Sequence, residues 1–385
     1  MSEPRVDIAI VGGGLVGAAA ALGLHQQGYR VRLFERGSAP LAQDEYDARV
    51  YAISPATQRF LERLGVWSAM AARRISPYQR MQVWEDDVAA GLAFDAADIR
   101  SPALGHIIEN QVMAQALWQA LPAAVIETGS SVARLRLEDD AAHLLLADGR
   151  AVEASLLVIA EGRDSPLREQ LPLEVTAGDY PQSAVVCHVQ TERPHRETCW
   201  QRFLPSGPLA LLPLADGRSS LVWSTTAAQE LLQLDDAAFA LRLGAASQHV
   251  LGGILATTPR LRFNLGLRHA DRYVAGRAVL IGDAAHVVHP LAGQGVNLGL
   301  ADAEQLVRVL GATPGADPGR LRPLKRYERA RRADVLDMMV VTDALYRAYA
   351  LDAPGWPALR ALGLRAVNAL PPLKAQLIRR AAGLA

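Results

Sequence analysis

The feature that most constrains the fold lies near the start of the chain, where a glycine-spaced loop joins an apolar segment to a helix-like one. Residues 6–11 are a short apolar run, which predicts a buried strand. Gly12, Gly14 and Gly17 follow in G-x-G-x-x-G spacing. Residues 18–27 then predict a helix that ends at Gly28, and residues 29–34 predict a second strand closed by Glu35. This order is the β-α-β fingerprint of a dinucleotide-binding unit.

Each part of the fingerprint has a physical role towards a dinucleotide. Gly12 permits the tight turn, Gly14 lets the backbone approach a pyrophosphate, and Gly17 lets helix and strand pack closely. The helix N-terminus offers free N–H groups and positive dipole to phosphates. Glu35 stands where an acid accepts a ribose hydroxyl, and Arg36 beside it is a further candidate. The fingerprint alone does not distinguish FAD from NAD.

Two more apolar strands end in an acid and a glycine. Residues 156–161 end at Glu161-Gly162, and the run that begins at residue 279 ends at Gly282-Asp283. A simple nicotinamide dehydrogenase has no need for such strand ends so far from the fingerprint. The ribityl chain of FAD has hydroxyls that a carboxylate can accept, and Asp283 is the best candidate. Asp283 could also cap the helix that follows. The sequence therefore predicts bound FAD.

These motifs together resemble a known family. The fingerprint, residues 160–168 and the segment GDAAH…PLAGQGVNLGL resemble the class A flavoprotein monooxygenases, typified by para-hydroxybenzoate hydroxylase. A closer resemblance, to the ubiquinone-biosynthesis hydroxylases, extends over nearly the whole chain. It is carried by residues 47–67, 104–110, 207–224, 327–334, 342–350 and 363–377. Glu161-Gly162 departs from the Asp-Gly that is usual in the family.

The resemblance implies an FAD-dependent monooxygenase in which NADPH or NADH reduces the flavin. Dioxygen then forms a flavin C4a-hydroperoxide, which delivers one oxygen atom to the ring of a polyprenylated phenol in ubiquinone biosynthesis. The flavin performs the chemistry, so no general base is nominated. Two alternatives stay open. One is a hydroxylase or epoxidase of the same fold in a specialised pathway, and the other is a flavin-bound scaffold subunit of a quinone-synthesis complex.

The resemblance also implies site residues. Arg49 contacts the cofactor near its phosphates, as a bidentate guanidinium can, and Asn110 contacts the flavin chain. Residues 290–297 line the isoalloxazine ring, and the helix that begins near Gly295 directs its positive end at the anionic edge of the reduced flavin. The predicted residues of this part of the site are Glu161, Asp283, His289, Pro290, Gly293, Gln294, Gly295, Val296 and Asn297. We predict no metal site, although His286 and His289 lie three apart.

The organisation predicted is an α/β protein in three parts. A Rossmann-type FAD-binding domain with a parallel sheet combines residues 1–75, 105–178 and 270–320. A substrate domain with an antiparallel sheet combines 76–104 and 179–269, and its strands lie at 183–190, 199–205, 207–214 and 219–226. Asp216-Gly217 predicts a hairpin between the last two. Leu211, Pro213 and Trp223 are candidates to face a substrate pocket, with ordinary core burial as the alternative.

The third part, residues 321–385, is predicted to be helical. Residues 335–349 place apolar side chains on one helical face, which favours packing against the FAD domain. Residues 356–380 mix leucines with Arg and Lys, a pattern typical of a basic amphipathic tail. Such a tail can contact a membrane surface or a partner, for example a ubiquinone-synthesis complex, or pack within the protein.

Charge and the N-terminal sequence bear on the location of the protein. The formal net charge is zero, with 40 basic and 40 acidic residues, so nothing indicates nucleic acid as a partner. The two cysteines, Cys187 and Cys199, are expected to be buried thiols. The sequence begins without a charged-then-apolar leader. We therefore expect a cytoplasmic protein, with peripheral contact at the inner face of the membrane as an open question about the tail.

Overall fold

The structure is a computed structural model, which describes residues 5–41, 43–288, 295–350, 356, 360, 363, 367–368 and 370–383. It is an α/β fold with three sheets, and strands and helices are numbered here along the chain. The α-helices of the described residues are α1 (Leu15–Gln26), α2 (Pro55–Arg63), α3 (Trp67–Arg73), α4 (Asn110–Ala120), α5 (Ala228–Gln233), α6 (Asp236–Ala246), α7 (Gly295–Gly311), α8 (Leu321–Ala350) and α9 (Pro371–Ala381).

The first sheet has a parallel centre, as the sequence predicts. Its order is β18-β19-β11-β1-β2-β8, and the pairs β19–β11, β11–β1, β1–β2 and β2–β8 are all parallel. Its strands are β1 (Val6–Val11), β2 (Val31–Glu35), β8 (Ile126–Thr128), β9 (Val132–Leu137), β10 (Ala142–Leu146), β11 (Ala151–Ile159), β18 (Val274–Ala275) and β19 (Ala278–Leu280). Because β1 and β11 are buried on both faces, they are almost wholly apolar.

Helices cover this sheet and complete its core. Ala18 to Ala21 of α1 are fully buried, and their small side chains let α1 lie close to its neighbours. Helices α4 and α7 both pack against α1. The core that results is the largest apolar cluster of the described residues, and it extends to Leu324 and Tyr327 of α8.

The second sheet is mostly antiparallel and follows the order β20-β17-β12-β15-β14-β13-β5-β6, with β16 paired to β12. Asp216-Gly217 joins β14 to β15 in the predicted hairpin, and Gly217 has φ +89°. Strands β5 and β6 of this sheet come from the predicted segment 76–104. Its strands are β5 (Arg80–Trp84), β6 (Leu92–Asp95), β12 (Val175–Thr191), β13 (Thr198–Leu204), β14 (Gly207–Pro213), β15 (Ser219–Thr225), β16 (Ile254–Thr257), β17 (Leu261–Ala270) and β20 (His286–Val287).

The strands of a small third sheet alternate along the chain with strands of the two large sheets. It has the order β3-β7-β4, formed by β3 (Val50–Ile53), β4 (Ser76–Tyr78) and β7 (Gly105–Glu109). Strand β12 continues without a break through the predicted domain boundary at residue 178. The division into domains remains a prediction.

The helix predicted beyond residue 327 is part of α8, which spans 30 residues. It packs against α7, and Val335, Met338 and Met339 join Val288 and Leu298 in one apolar cluster. The first part of the predicted face therefore packs on α7, whereas Tyr349 at its end stacks on Phe203 of β13 in the second sheet. None of the helices in the described part of the chain combines the length and apolarity that crossing a membrane requires.

Candidate active site

Four parallel strands end at the same edge of the first sheet, and the predicted acids and glycines follow those ends. Gly12 comes after β1, Glu35 closes β2, Glu161 follows β11, and Gly282 follows β19. Since parallel strands direct their carboxyl ends to one edge, residues far apart in sequence meet there. In open α/β sheets this edge is where ligands bind.

The glycine loop has the geometry of a phosphate-binding turn. Gly12 has φ +105°, and a Cβ at this position would overlap the backbone of Ala160. A Cβ on Gly17 would overlap the Gly12 carbonyl. Gly14 is different, because a Cβ there would meet no atom within 4 Å and would point into open space. The structure therefore has room for a ligand at Gly14, at the uncapped N-terminus of α1.

Glu35 closes β2 beside this loop. One carboxylate oxygen accepts the Gly13 N–H at 2.6 Å, and the other accepts the Gly37 N–H at 2.7 Å. Each oxygen has a further lone pair, so the side chain can also accept a hydroxyl. Arg36, the next residue, is exposed. Their assignment to a ribose remains a prediction.

Arg49 and Asn110 lie together on the wall of one cavity, although 61 positions separate them in sequence. Strands β3 and β7 pair Val50 with Glu109, which places the two residues side by side. The Asn110 N–H donates to the Arg49 carbonyl at 3.0 Å, and the Arg49 N–H donates to Asp47 at 2.9 Å. The arrangement fits a guanidinium and an amide that act on the same ligand.

Asp283 lines the same cavity from a single turn of 3-10 helix, Gly282–Ala284. Its side chain is exposed within the cavity. Partial desolvation by the surrounding protein raises the pKa of this carboxyl group, Asp302 raises it further, and the proximity of His286 opposes the rise. An accessible carboxylate accepts hydroxyl donors, and ribityl hydroxyls would suit it.

Glu161 is turned towards its own loop. One of its oxygens accepts the Ser165 hydroxyl at 2.6 Å and the Leu167 N–H at 3.1 Å. Its neighbours Ala160 and Gly162 line the cavity, and Gly162 has φ +84°. The Glu161 side chain thus holds the loop that follows β11. Contact between Glu161 and the cofactor remains a prediction.

The N-terminus of α7 opens onto the cavity through Gly295 and Val296. The side chain of Asn297 is buried, accepts the Ser54 N–H at 3.0 Å and donates to the Ala52 carbonyl at 2.8 Å. This side chain therefore ties α7 to β3, and Asn297 does not line the cavity. His289, Pro290, Gly293 and Gln294 lie outside the described residues.

The cavity has a volume of about 700 Å³ and extends beyond the strand ends into an apolar region. The second sheet forms the wall of that region. Its cavity-facing side chains include Ala184, Val186, Ala210, Leu212, Val222 and Ser224. A volume of this size and apolar character suits an organic ligand.

The predicted pocket residues of the second sheet lie on its other face. Leu211 and Trp223 are buried in a separate apolar cluster that includes Phe239 and Leu243 of α6. Pro213 is also buried and does not line the cavity. The residues that face the cavity are the neighbours of the predicted ones, because successive residues of a strand point to opposite faces. Ala210 and Leu212 of β14, and Val222 of β15, therefore take the predicted place.

The C-terminal helix supplies residues that the sequence did not indicate as part of the site. Leu377, Ile378 and Ala382 line the cavity. Ile378 packs with Ala96 and Leu104, and Lys374 forms an ion pair with Asp98 at 2.8 Å. One part of the amphipathic tail thus packs within the protein. Leu370 remains 52% exposed.

A buried ionic cluster supports the site from behind. Asp302 of α7 is fully buried, with His286 at 2.6 Å and Arg331 of α8 at 2.7 Å. Burial alone would raise the pKa of Asp302, but the charges and hydrogen bonds of His286 and Arg331 outweigh burial and lower it. The sequence signal that could have indicated this residue is a carboxylate on the apolar face of a helix. Within the residues described, no group of three or more His, Cys, Asp or Glu could hold a metal ion.

The glycine cradle, the strand-end acids and two open helix N-termini fit a flavin dinucleotide, and comparison with known proteins agrees. The family model described as an FAD binding domain matches residues 5–341. Among solved structures, p-nitrophenol 4-monooxygenase from Pseudomonas putida DLL-E4 has a TM-score of 0.80 at 18% identity and covers 100% of this chain and 99% of its own. The fold and the site thus define a class, the proteins built on an FAD-binding domain of this type.

Curated relatives narrow this class. The 3-demethoxyubiquinol 3-hydroxylase of Escherichia coli (strain K12) is 39% identical over 100% of both chains. The ubiquinone hydroxylase UbiL of Rhodospirillum rubrum is 37% identical over 99% of this chain and 90% of its own. A mitochondrial ubiquinone biosynthesis monooxygenase of Homo sapiens is 34% identical over 97% and 91%. The chain belongs to the family of ubiquinone-biosynthesis hydroxylases.

Proposed function

We propose that this protein is an FAD-dependent monooxygenase that hydroxylates the aromatic ring of a polyprenylated phenol in ubiquinone biosynthesis. The observation that carries the proposal is that one continuous cavity joins the polar strand ends to an apolar region beneath the second sheet. One end suits a dinucleotide and the other suits a ring with a hydrocarbon tail. The names of the curated relatives support the same substrate class.

We assign the polar end of the cavity to FAD. Gly14 and the N-terminus of α1 would hold the pyrophosphate, Gly12 and Gly17 shape the turn that allows this approach, and Glu35 would accept a ribose hydroxyl. The cofactor residues proposed further along the chain are Arg49, Asn110, Asp283, Gly295 and Val296. When bound, FAD supplies the redox chemistry, with NADPH or NADH as reductant and dioxygen as co-substrate.

The protein's own contribution is to orient the substrate and to exclude water. Side chains such as Ala210, Leu212 and Val222 form an apolar wall that would place the phenol ring against the flavin site. Since water is poorly accommodated along such a wall, reactive species there are protected from side reactions. The domain division predicted from the sequence is retained as part of the proposal, with the flavin at the first sheet and the phenol under the second.

We also propose that the substrate reaches the protein from a membrane. Leu370 and Leu377 are exposed apolar residues of the C-terminal segment, and Leu377 lines the cavity. Arg379 and Arg380 of the same helix are also exposed, and Arg380 pairs with Asp337 at 2.7 Å. Apolar and basic side chains on one short helix favour an anionic bilayer surface. A direct check is flotation of the protein with vesicles that contain anionic lipid. Binding that is equal with neutral vesicles, or absent, would exclude this part of the proposal.

Purified protein tests the function. The preparation should be yellow, or gain flavin absorbance when FAD is added to apoprotein. A prenylated phenol should stimulate its oxidation of NADPH or NADH, and mass spectrometry should find one added oxygen atom in the product. Colourless protein that takes up no FAD would end the proposal. The roomy cavity disfavours a scaffold without activity, whose pocket would be blocked.

A further inference from the structure

Asp302 is a single buried carboxylate that holds three separate parts of the fold. Its Oδ2 accepts the Gly282 N–H at 2.8 Å and a proton shared with His286 Nε2 at 2.6 Å. Its Oδ1 accepts Nε of Arg331 at 2.7 Å. These donors belong to the turn before Asp283, to β20 and to α8, while Asp302 itself belongs to α7. One side chain therefore sets the mutual position of four segments.

Arg331 of α8 fixes the position of the Asp302 side chain on α7. It is buried, and besides Asp302 it donates to Asp334 at 2.6 Å and to the Leu298 carbonyl at 3.3 Å. A buried ion pair brings little net stability, because desolvation offsets the attraction. Removing only one partner is strongly destabilising. Stability alone is therefore a weak explanation for the buried pair of Asp302 and Arg331. The positions that the pair imposes on the neighbouring segments explain it better.

The geometry concerns Asp283 and the N-terminus of α7. Gly282, whose N–H Asp302 holds, has φ +61° and comes directly before Asp283. A Cβ on Gly299 of α7 would lie 3.3 Å from the Gly282 Cα, so the helix contacts the turn directly. Asp302 lies about two helical turns beyond Gly295, on the same face. Asp302 thereby fixes the positions of two residues that line the cavity, Asp283 and Gly295.

We propose that Asp302 is a positioning residue for the flavin site, which holds the Gly282-Asp283 turn and the first turn of α7 in register, with Arg331 holding Asp302. This rests on the proposed function, since it takes FAD as the ligand of the cavity. Asp302 does not line the cavity. Its effect on FAD passes through Gly282 and Asp283.

Glu328 offers a matched control on α8. It is also a buried carboxylate, and it accepts the backbone N–H groups of Tyr273 at 2.8 Å and Val274 at 3.1 Å. It pairs with Lys325 at 2.6 Å. Glu328 has no hydrogen bond to Gly282 or His286 among those described. Glu328→Gln therefore perturbs α8, the helix that carries Arg331, without releasing the Gly282-Asp283 turn.

The test compares Asp302→Leu, the double variant Asp302→Leu with Arg331→Met, and Glu328→Gln. Asp302→Leu leaves Arg331 buried without its main counter-charge, and the double variant removes that charge. Three quantities are measured: the Tm of the apoprotein, the Kd for FAD from flavin fluorescence, and the visible circular dichroism of the bound flavin at saturation. The last reports how the ring is held.

The expected pattern separates positioning from stability. Asp302→Leu lowers Tm and raises the Kd for FAD about tenfold, the effect of losing a charge-assisted hydrogen bond. In the double variant Tm recovers while the raised Kd and an altered flavin spectrum persist. Glu328→Gln lowers Tm but leaves the Kd within about twofold of the wild type, within the error expected of an uncoupled site.

Other outcomes overturn the inference. A Kd that recovers together with Tm in the double variant makes Asp302 a structural residue only, as does a Glu328→Gln effect on FAD equal to that of Asp302→Leu. Wild-type binding of FAD with no change in Asp302→Leu rejects the positioning role and leaves the proposed function standing. If the wild type itself takes up no FAD, the proposed function falls and the inference falls with it.

Discussion

The two walls of the cavity are built in different ways. The wall at the edge of the first sheet consists of chain turns, where Gly12 and Gly282 have left-handed φ values and backbone groups face the ligand. The wall from the second sheet consists of side chains such as Ala210 and Val222, which stand on a regular antiparallel sheet. A substitution on the first wall therefore changes the backbone and the cofactor site. A substitution on the second wall changes the shape of the cavity alone.

The largest effect that the comparison predicts is at the glycine loop. Gly12→Ala should destabilise the apoprotein by about 2–5 kcal/mol, because it combines left-handed backbone strain with overlap of the Ala160 backbone. Gly14→Ala is the control, since its methyl group enters open space, and it should change apoprotein stability by less than about 1 kcal/mol. Its effect should fall on FAD affinity instead. Urea unfolding of apoprotein and FAD titration measure the two.

A reversal of this pair would break the account of the first wall. If Gly14→Ala left the Kd for FAD unchanged, the open space beside the N-terminus of α1 would not be the cofactor site. If Gly12→Ala left the unfolding free energy unchanged, the loop would relax more freely than the packing against Ala160 allows.

The second wall is tested by two neighbouring residues on opposite faces of β14. Leu211→Ala should destabilise the protein by about 2–5 kcal/mol, as truncation in a packed core does. Ala210→Phe projects into the cavity, and it should spare stability and FAD affinity but raise KM or abolish substrate-stimulated NAD(P)H oxidation. Equal effects of both on substrate turnover at matched stability would show that the two faces are not distinct.

At Asp283, the requirements of FAD binding and of protein stability conflict. A carboxyl group whose pKa is higher in the folded than in the unfolded state costs stability above its folded pKa, and the cost disappears as the pH falls below the unfolded value near 3.8. Asp283→Asn should therefore raise the Tm of the apoprotein slightly at pH 7, since solvent in the cavity screens this exposed carboxylate, and lose that advantage in acid. It should also weaken FAD binding about tenfold. Thermal scans of apoprotein from pH 3 to pH 7 measure the first effect.

The smallest predicted change is at the C-terminal helix. Leu377 is 41% exposed and lines the cavity, so Leu377→Ala should change the free energy of unfolding only within the range of surface substitutions, about 0.5 kcal/mol. It should still change the KM for a prenylated phenol without changing the Kd for FAD. A KM equal to that of the wild type would remove α9 from the substrate wall.

The two walls also differ in how far sequence could predict them. The turns at Gly12 and Gly282 require particular residues at fixed spacing, so the cofactor edge and the parallel sheet could be located in the sequence. One face of the second sheet packs against helices, and the other face lines the apolar cavity. Both alternating sets of side chains are apolar in consequence, and nothing local distinguishes Leu211 from Leu212.

Asp302 and the C-terminal helix were beyond prediction for another reason. Asp302 acts through Gly282, His286 and Arg331, which only the folded chain brings together. The amphipathic pattern of the tail is satisfied in part by Ile378 packing on Leu104 and in part by exposure of Leu370. Periodicity describes a helical face and does not specify what covers it.

The most direct test of the central claim is mass spectrometry of the quinones and prenylphenols from the source organism with this gene deleted. The account predicts that ubiquinone falls and that a prenylphenol short of one ring oxygen accumulates, and that intermediate identifies the carbon attacked. Wild-type protein should restore ubiquinone, whereas the Ala210→Phe variant should not. Normal ubiquinone with no such intermediate, in a strain that has no second hydroxylase of this family, would contradict the account.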